Sequence, residues 1–173
     1  ILARQGLDQI STSGFLQTNS DIDLAVSNIG MVIQKGKPKP DISTPAKFRS
    51  ALLDASKVAI SSSISGRYLV SELFHELGIS TQMESKTLTT GAVAVGEGKA
   101  DIGIQQVSEL LPIQGADFVG RLPEELQYTT TFSAAIVKTT TRSDAARLLI
   151  EFLASAEAAK VINRWGMRPI NGL

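Results

Sequence analysis

Short, almost wholly apolar runs alternate along this chain with segments whose apolar residues recur every three or four positions. Runs of the first kind are typical of strands covered on both faces, and they lie at 24–34, 57–61, 100–105 and 128–138. The periodic segments predict helices, and they lie at 46–55, 67–77, 144–153 and 156–165. Strands that alternate with helices of about ten residues predict an α/β layered fold with a mainly parallel sheet.

Single residues predict where some helices begin and end. Thr44 precedes Pro45, and a short hydroxyl residue followed by proline is a typical helix start. Ser155 is placed in the same way to cap the last helix. Gly6 is expected to end a short helix at residues 1–5, because glycine favours the position just beyond a helix.

Two long extended segments, one around Gly30 and one around Ser133, bracket the middle of the chain. A central lobe would then be entered once and left once, as in a hinged protein of two lobes. We expect residues 34–129 to form that lobe. Residues 1–33 would hold a remnant of the first lobe and one crossing strand, and residues 130–173 the second crossing strand and C-terminal helices of the first lobe.

The stretch Val58–Tyr68 is the best candidate for a binding site. A β-prone run ends there in small hydroxyl residues and a glycine, and a periodic helix follows at once. Small residues let a ligand approach the backbone, and the start of a helix favours a negative charge. We therefore predict half of an anion or carboxylate site at Ser63, Ser65 and Gly66. Ordinary helix capping by Ser63 or Ser65 is the alternative.

Composition removes several classes of function. The 173 residues carry 17 basic and 17 acidic side chains, so no basic surface for nucleic acid is expected. Cysteine is absent and His75 is the one histidine, so the chain offers no pattern of metal ligands and no thiol nucleophile. A phosphate-binding loop and a serine nucleophile motif are also missing from the sequence. We expect no cofactor and no metal, and we expect a protein that is not an enzyme.

Several segments, in order along almost the whole chain, resemble the periplasmic solute-binding proteins of the molybdate-binding type. They are 29–36 (IGMVIQKG), 38–45 (PKPDISTP), 63–68 (SISGRY), 98–112 (GKADIGIQQVSELLP), 122–127 (LPEELQ), 132–136 (FSAAI) and 152–159 (FLASAEAA). The resemblance implies a periplasmic-binding-protein-like fold, with two lobes joined by two crossing strands that close on a ligand. It also implies about one third of the protein ahead of Ile1, which would leave the first lobe incomplete.

The same resemblance implies where the second lobe touches its ligand. The family's Ala-Gly-x-Tyr helix start reads Ser65-Gly66-Arg67-Tyr68 here, which adds Arg67 to the candidates. A second contact falls at Thr90 and Gly91. A third falls where the family has a tyrosine and this chain has Gln106, and an amide suits an organic carboxylate or polyol better than molybdate. Gln105 and Gln106 end the same strand, and alternation turns only one of them toward the cleft, for which we predict Gln106.

On these grounds we expect a monomeric, periplasmic component of an ABC importer. It would bind a small anion, an oxyanion or an organic carboxylate, and would deliver it to a membrane permease. One alternative is a periplasmic isomerase of small polycarboxylic acids on the same fold, and another is a ligand-binding module of a regulator. Among the acidic residues, Asp101 is expected to be structural, whereas Glu109 is expected to be solvated.

Overall fold

The computed structural model of the chain describes residues 1–171. The strands are β1 Leu2–Ala3, β2 Ile22–Ser27, β3 Ile29–Gln34, β4 Val58–Ile60, β5 Thr87–Leu88, β6 Ile102–Gln106, β7 Ala116–Arg121, β8 Thr130–Ala134 and β9 Arg168–Pro169. The helices are α1 Arg4–Thr12, α2 Pro45–Asp54, α3 Ile64–Tyr68, α4 Phe74–Glu76, α5 Ser80–Glu84, α6 Val93–Gly96, α7 Val107–Leu110, α8 Ser143–Leu153 and α9 Ala156–Arg164. A π-helical turn at Leu69–Leu73 joins α3 to α4, and Glu124–Leu126 forms a 3-10 turn.

The chain groups into two compact units. The terminal unit contains Ile1–Ser27 and the segment that begins at Thr129, whereas the central unit is Asn28–Tyr128. The chain therefore leaves the terminal unit once and returns to it once. The predicted lobe limits at residues 33/34 and 129/130 remain a prediction.

The terminal unit is built on a four-stranded sheet in the order β1-β8-β2-β9. All of its pairings are antiparallel. Its core joins this sheet to α8 through the buried residues Leu24, Ala134, Ile136 and Ile150. Next to the sheet, the Arg4 guanidinium donates to the carboxylates of Asp21 and Asp23, and the Ser133 hydroxyl donates to Asp23 at 2.6 Å. This ion cluster fixes the start of α1 on β2 and β8.

The central unit is built on a five-stranded sheet in the order β5-β4-β6-β3-β7. Strands β5, β4 and β6 are parallel to one another, whereas β3 and β7 are antiparallel to their neighbours. Alternation along β4 sends Val58 and Ile60 into the larger core, with α2 and the helix from α3 to α4, and sends Ala59 into a smaller core with α6. The site described below depends on the three parallel strands.

One side chain holds the two ends of the central unit together. Gln127 Oε1 accepts a hydrogen bond from the backbone N–H of Ile29 at 2.6 Å, and Gln127 Nε2 donates to the Ile29 carbonyl at 3.1 Å. These two hydrogen bonds join the residues at which the chain enters and leaves the central unit, as the pairing of two strands would.

The expectation of mainly parallel sheets is wrong in detail. Only the pairings of β4 with β5 and β6 are parallel within residues 1–171. The chain leaves the terminal unit through β2 and re-enters it through β8, and these two neighbouring strands run antiparallel. In the same way β3 enters the central sheet against the direction of β6. Apolar runs reveal that strands are covered on both faces but do not reveal their direction.

The helix starts predicted at Thr44 and Ser155 are confirmed, whereas the helix end predicted at Gly6 is wrong. Thr44 Oγ1 accepts from the Lys47 N–H at 3.3 Å, and Ser155 Oγ accepts from the Ala158 N–H at 3.3 Å. Gly6 instead lies inside α1. Glycine costs about 1 kcal/mol in a helix interior, and the anchored start of α1 with its buried Leu7 outweighs this cost.

Within residues 1–171, every helix is too short or too polar to cross a membrane.

Candidate functional site

The candidate site lies at the edge of the central sheet where β5, β4 and β6 end. In this sheet Ile60 lies opposite Ile104, and Ala59 lies opposite Leu88. The residues that follow each strand therefore leave the sheet side by side, about 4.8 Å apart from one strand to the next. Ligands of open α/β sheets bind at the carboxyl ends of parallel strands, so this is the edge at which a site is expected.

Three serine hydroxyls form a triangle directly after β4. Ser61 Oγ lies 2.6 Å from Ser63 Oγ and 3.3 Å from Ser65 Oγ, and Ser63 and Ser65 are 3.1 Å apart. Ser63 occupies the N-cap position of α3, yet its hydroxyl does not cap a helix N–H. It bonds to the other two serines instead, so simple capping does not explain this residue.

Gly66 brings the first turn of α3 onto the end of β4. A Cβ atom at this position would lie 1.7 Å from the Ser61 carbonyl oxygen and 2.7 Å from the Ser61 carbonyl carbon. Any side chain would therefore push the helix away from the strand. The serine triangle depends on this close approach because Ser61 and Ser65 belong to the two elements that Gly66 brings together.

The loop after β5 crosses the end of β4 and reaches β6. The Gly91 N–H donates to the Ile60 carbonyl at 2.9 Å, and Gly91 has a φ of +82°, which favours glycine. The next N–H, that of Ala92, donates to Gln105 Oε1 at 3.0 Å. Thr90 precedes this turn and is exposed. The sequence candidates Thr90 and Gly91 therefore lie at the same edge as the serine triangle.

The two glutamines at the end of β6 have different surroundings. Gln106 is 5% exposed and points to the same side of the sheet as Ile104, whereas Gln105 is half-buried and holds the Gly91 loop through Ala92. Gln105 Nε2 also donates to the carboxylate of Glu109. That Gln106 binds the ligand stays a prediction. Its neighbour Gln105 is the glutamine that contacts the Gly91 loop.

Arg67 and Tyr68 are neighbours in α3, but the side chain of Arg67 is exposed whereas that of Tyr68 packs against another aromatic ring. Arg67 is exposed, and Nη1 donates to the Ser62 carbonyl at 3.4 Å. Tyr68 stacks on Tyr128 with ring centroids 4.8 Å apart, and its hydroxyl donates to the Leu126 carbonyl at 3.2 Å. Tyr68 therefore packs against Tyr128 and the Leu126 backbone next to the site.

The phenol of Tyr68 stays a neutral donor in this setting. Burial, together with the negative charges of Glu76 and Glu72, raises the pKa of Tyr68.

Asp101, for which a structural role is expected, bonds to backbone groups near the start of β4. Its carboxylate accepts from the backbone N–H groups of Ser56 and Lys57 at 2.7 and 3.0 Å.

The structure thus brings six of the seven candidates to one sheet edge, namely Ser63, Ser65, Gly66, Thr90, Gly91 and Gln106, whereas the seventh, Arg67, is exposed and donates to the Ser62 carbonyl. Sequence reasoning missed Ser61 and Glu109 as members of this edge, and it placed Gln105 there only as the alternative to Gln106. The spacing of Ser61 and Ser65, four residues apart across a strand-to-helix turn, is a signal that could have found Ser61. Within residues 1–171 no group of histidine, cysteine or acidic side chains could hold a metal ion. The three serine hydroxyls are suited to binding an anion, because each O–H can donate a hydrogen bond to it.

Sequence comparison assigns the chain to a class. The model of the bacterial extracellular solute-binding protein family matches residues 1–168, and the chain belongs to this family. A curated relative, an aconitate isomerase from Pseudomonas sp, is 37% identical over 174 residues. The match covers 98% of this chain and 66% of the relative, so the chain spans just under two thirds of that protein's length.

Solved structures agree with the fold. The Azotobacter vinelandii periplasmic molybdate-binding protein superposes with a TM-score of 0.74 at 17% identity, over 95% of this chain and 74% of its own. A periplasmic thiamin binding protein gives a TM-score of 0.73 at 15% identity, over 99% and 65% of the two chains. At these identities the likeness shows the fold alone, and it confirms the predicted periplasmic-binding-protein-like α/β class. The match of the family model confirms the resemblance to solute-binding proteins.

The expectation that the protein is not an enzyme is contradicted. A relative at 37% identity over nearly all of this chain is an isomerase. The expectation rested on missing motifs for nucleophilic and metal-assisted catalysis, and an isomerase that only moves a proton needs neither of them.

Proposed function

We propose that this chain carries a binding surface for a small polycarboxylic acid, and that the protein interconverts isomers of an acid of the aconitate class. The serine triangle at the end of β4 is the observation that carries the proposal. The identity to an aconitate isomerase supports the choice of substrate class.

The triangle suits a carboxylate because of its hydroxyl geometry. With separations of 2.6–3.3 Å, the three Oγ atoms lie within hydrogen-bonding distance of one another. Each O–H can turn outward to donate to a shared anion, since a hydroxyl proton rotates freely. A hydrogen bond to a charged group contributes about 1.5–3 kcal/mol, so removal of one hydroxyl weakens binding roughly 10- to 100-fold.

Titration calorimetry and proton NMR of the full-length protein with trans-aconitate test this function. The wild type is expected to bind the acid and to convert it to the cis isomer. Ser63→Ala should weaken binding by the factor given above. Ser62→Ala is the matched control, because the neighbouring Ser62 side chain lies outside the triangle, and this variant should bind as the wild type does. A wild type that neither binds nor converts aconitate would overturn the proposal.

Family membership favours a second candidate function, that of the solute-binding component of an ABC importer. Its ligand would be a small anion, its partner a membrane permease, and the protein a periplasmic monomer. The family match over residues 1–168 is the supporting observation. Tight binding of a carboxylate without turnover, together with loss of uptake in a deletion strain, would favour transport over isomerisation.

A further inference from the structure

Glu109 lies at the same sheet edge as the serine triangle and is held there in a defined orientation. Gln105 Nε2 donates to Glu109 Oε2 across one turn of chain, between the end of β6 and α7. The other carboxylate oxygen, Oε1, accepts no hydrogen bond from the part of the chain that the structure describes. Glu109 is exposed, so this oxygen is accessible to a ligand.

The orientation of the Gln105 amide is fixed by its two neighbours. The Ala92 N–H can only donate, so the amide atom 3.0 Å from it must be the oxygen. The nitrogen therefore points to the opposite side, where the Glu109 carboxylate can only accept when it is ionised. The Ala92 N–H, the Gln105 amide and the Glu109 carboxylate are thus joined by two hydrogen bonds, which link the Gly91 loop to Glu109.

The register of the sheet places this arrangement next to the serine triangle. Ile60 lies opposite Ile104 in the parallel pair of β4 and β6, so Ser61 and Gln105 follow on neighbouring strands. Neighbouring strands are about 4.8 Å apart. The Gln105 side chain therefore leaves β6 beside Ser61, and it carries the hydrogen bond to Glu109.

We propose that Glu109 is the carboxylate that moves the proton in the isomerisation, an inference that rests on the function proposed above. A fixed negative charge weakens the binding of an anion, so a carboxylate at this edge is better explained by proton transfer than by binding. Carboxylates are common general bases in enzymes.

The step balances without a further reactant. Glu109 takes a proton from the CH2 carbon next to the double bond of the bound acid. The electron pair of the broken C–H bond spreads over the three-carbon allylic unit and its carboxylates. The proton is then returned to the carbon at the other end of that unit, so the double bond moves and the composition of the acid is unchanged.

The test compares Glu109→Gln with the wild type in the full-length protein. Calorimetry gives the Kd for trans-aconitate, and NMR in D2O gives both turnover and deuterium uptake at carbon. General acid–base catalysis contributes about 10²- to 10⁴-fold, so turnover and deuterium uptake should fall by that factor while the Kd stays equal or becomes lower. Glu97→Gln is the control, because Glu97 is a carboxylate of the same unit that pairs with Lys99 at 2.8 Å.

Each other outcome overturns a particular statement. Full turnover and exchange in Glu109→Gln would overturn the role of Glu109 and leave the isomerase function standing. A loss of binding that matches the loss of turnover would make Glu109 a binding or structural residue and would also overturn its role. A wild type that binds the acid but shows neither turnover nor exchange would overturn the isomerase function itself.

Discussion

Replacement of Gly66 by alanine should separate the start of α3 from the end of β4. The new Cβ would lie 1.7 Å from the Ser61 carbonyl oxygen, whereas atoms in ordinary contact are about 3.5–4.0 Å apart. The obstacle is backbone, so no side-chain rotation can relieve it. The helix start must move by an amount comparable to the shortfall in distance, on the order of 2 Å.

Two opposing effects set the magnitude. Extra atoms forced into a packed region cost about 1–3 kcal/mol and occasionally more, and a clash with backbone belongs at the upper end. Alanine regains up to about 1 kcal/mol over glycine in a helix. We therefore expect Gly66→Ala to lower the free energy of unfolding by about 2 kcal/mol or more. Binding of trans-aconitate should also weaken, because the shift pulls Ser65 away from Ser61.

Urea unfolding measures the effect, and the chain offers a separate probe for each unit. Both tyrosines, Tyr68 and Tyr128, lie in the central unit, whereas the one tryptophan, Trp165, lies in the terminal unit. Tyrosine near-UV circular dichroism should show the loss in Gly66→Ala, while tryptophan fluorescence should change less.

Gly6→Ala is the matched control for the glycine-to-alanine change. Gly6 is helical, and a Cβ there would meet nothing within 4 Å, so this variant should be up to about 1 kcal/mol more stable than the wild type. The reasoning is refuted if Gly66→Ala unfolds at the wild-type urea concentration and binds aconitate as tightly as the wild type.

Three further predictions follow from individual contacts. Burial, the largest single effect, raises the pKa of Asp23, but the Ser133 hydroxyl and the Arg4 guanidinium together lower it below its usual value. The stability that these contacts contribute is therefore present above about pH 4 and is lost as pH falls through the folded-state pKa. Asp23→Asn should flatten that acid dependence in thermal unfolding measured from pH 6 to 3. Gln127→Ala should cost about 1–3 kcal/mol in urea unfolding, because it leaves the buried N–H of Ile29 without its partner, whereas a change below 0.5 kcal/mol would show that water replaces the amide. Tyr68→Phe keeps the ring stack and loses one hydrogen bond to a carbonyl, so a loss of about 1 kcal/mol is expected, with aconitate binding unchanged in the same calorimetric assay.

The sequence allowed the elements to be placed, because apolar periodicity and caps are local signals. Thr44 and Ser155 cap helices as their short hydroxyl side chains predict. The helix end predicted at Gly6 is wrong because the cost of glycine is overridden by the contacts of Arg4 with residues about twenty positions away. The break at Asn28 between β2 and β3 was missed for a related reason, since both strands are apolar and only their different sheets distinguish them.

The candidate site was found in part for the same physical reasons. Ser63 and Ser65 follow a strand directly, so their place at the sheet edge could be inferred from the chain itself. The contacts of Gln105 and Glu109 could not be predicted in this way, because they depend on the Ala92 N–H. That N–H group belongs to the loop after β5 and reaches β6 from there. An exposed glutamate looks the same in sequence whether or not a neighbouring amide holds it.

The amide of Gln127 has a consequence for how this protein could evolve or be engineered. Because it bonds to both backbone groups of Ile29, the two ends of the central unit are fastened to each other by that unit's own residues. A host scaffold would need to offer only two adjacent points of attachment. Residues 28–128 could therefore be exchanged between relatives as a cassette, with the serine triangle transferred intact to a new host.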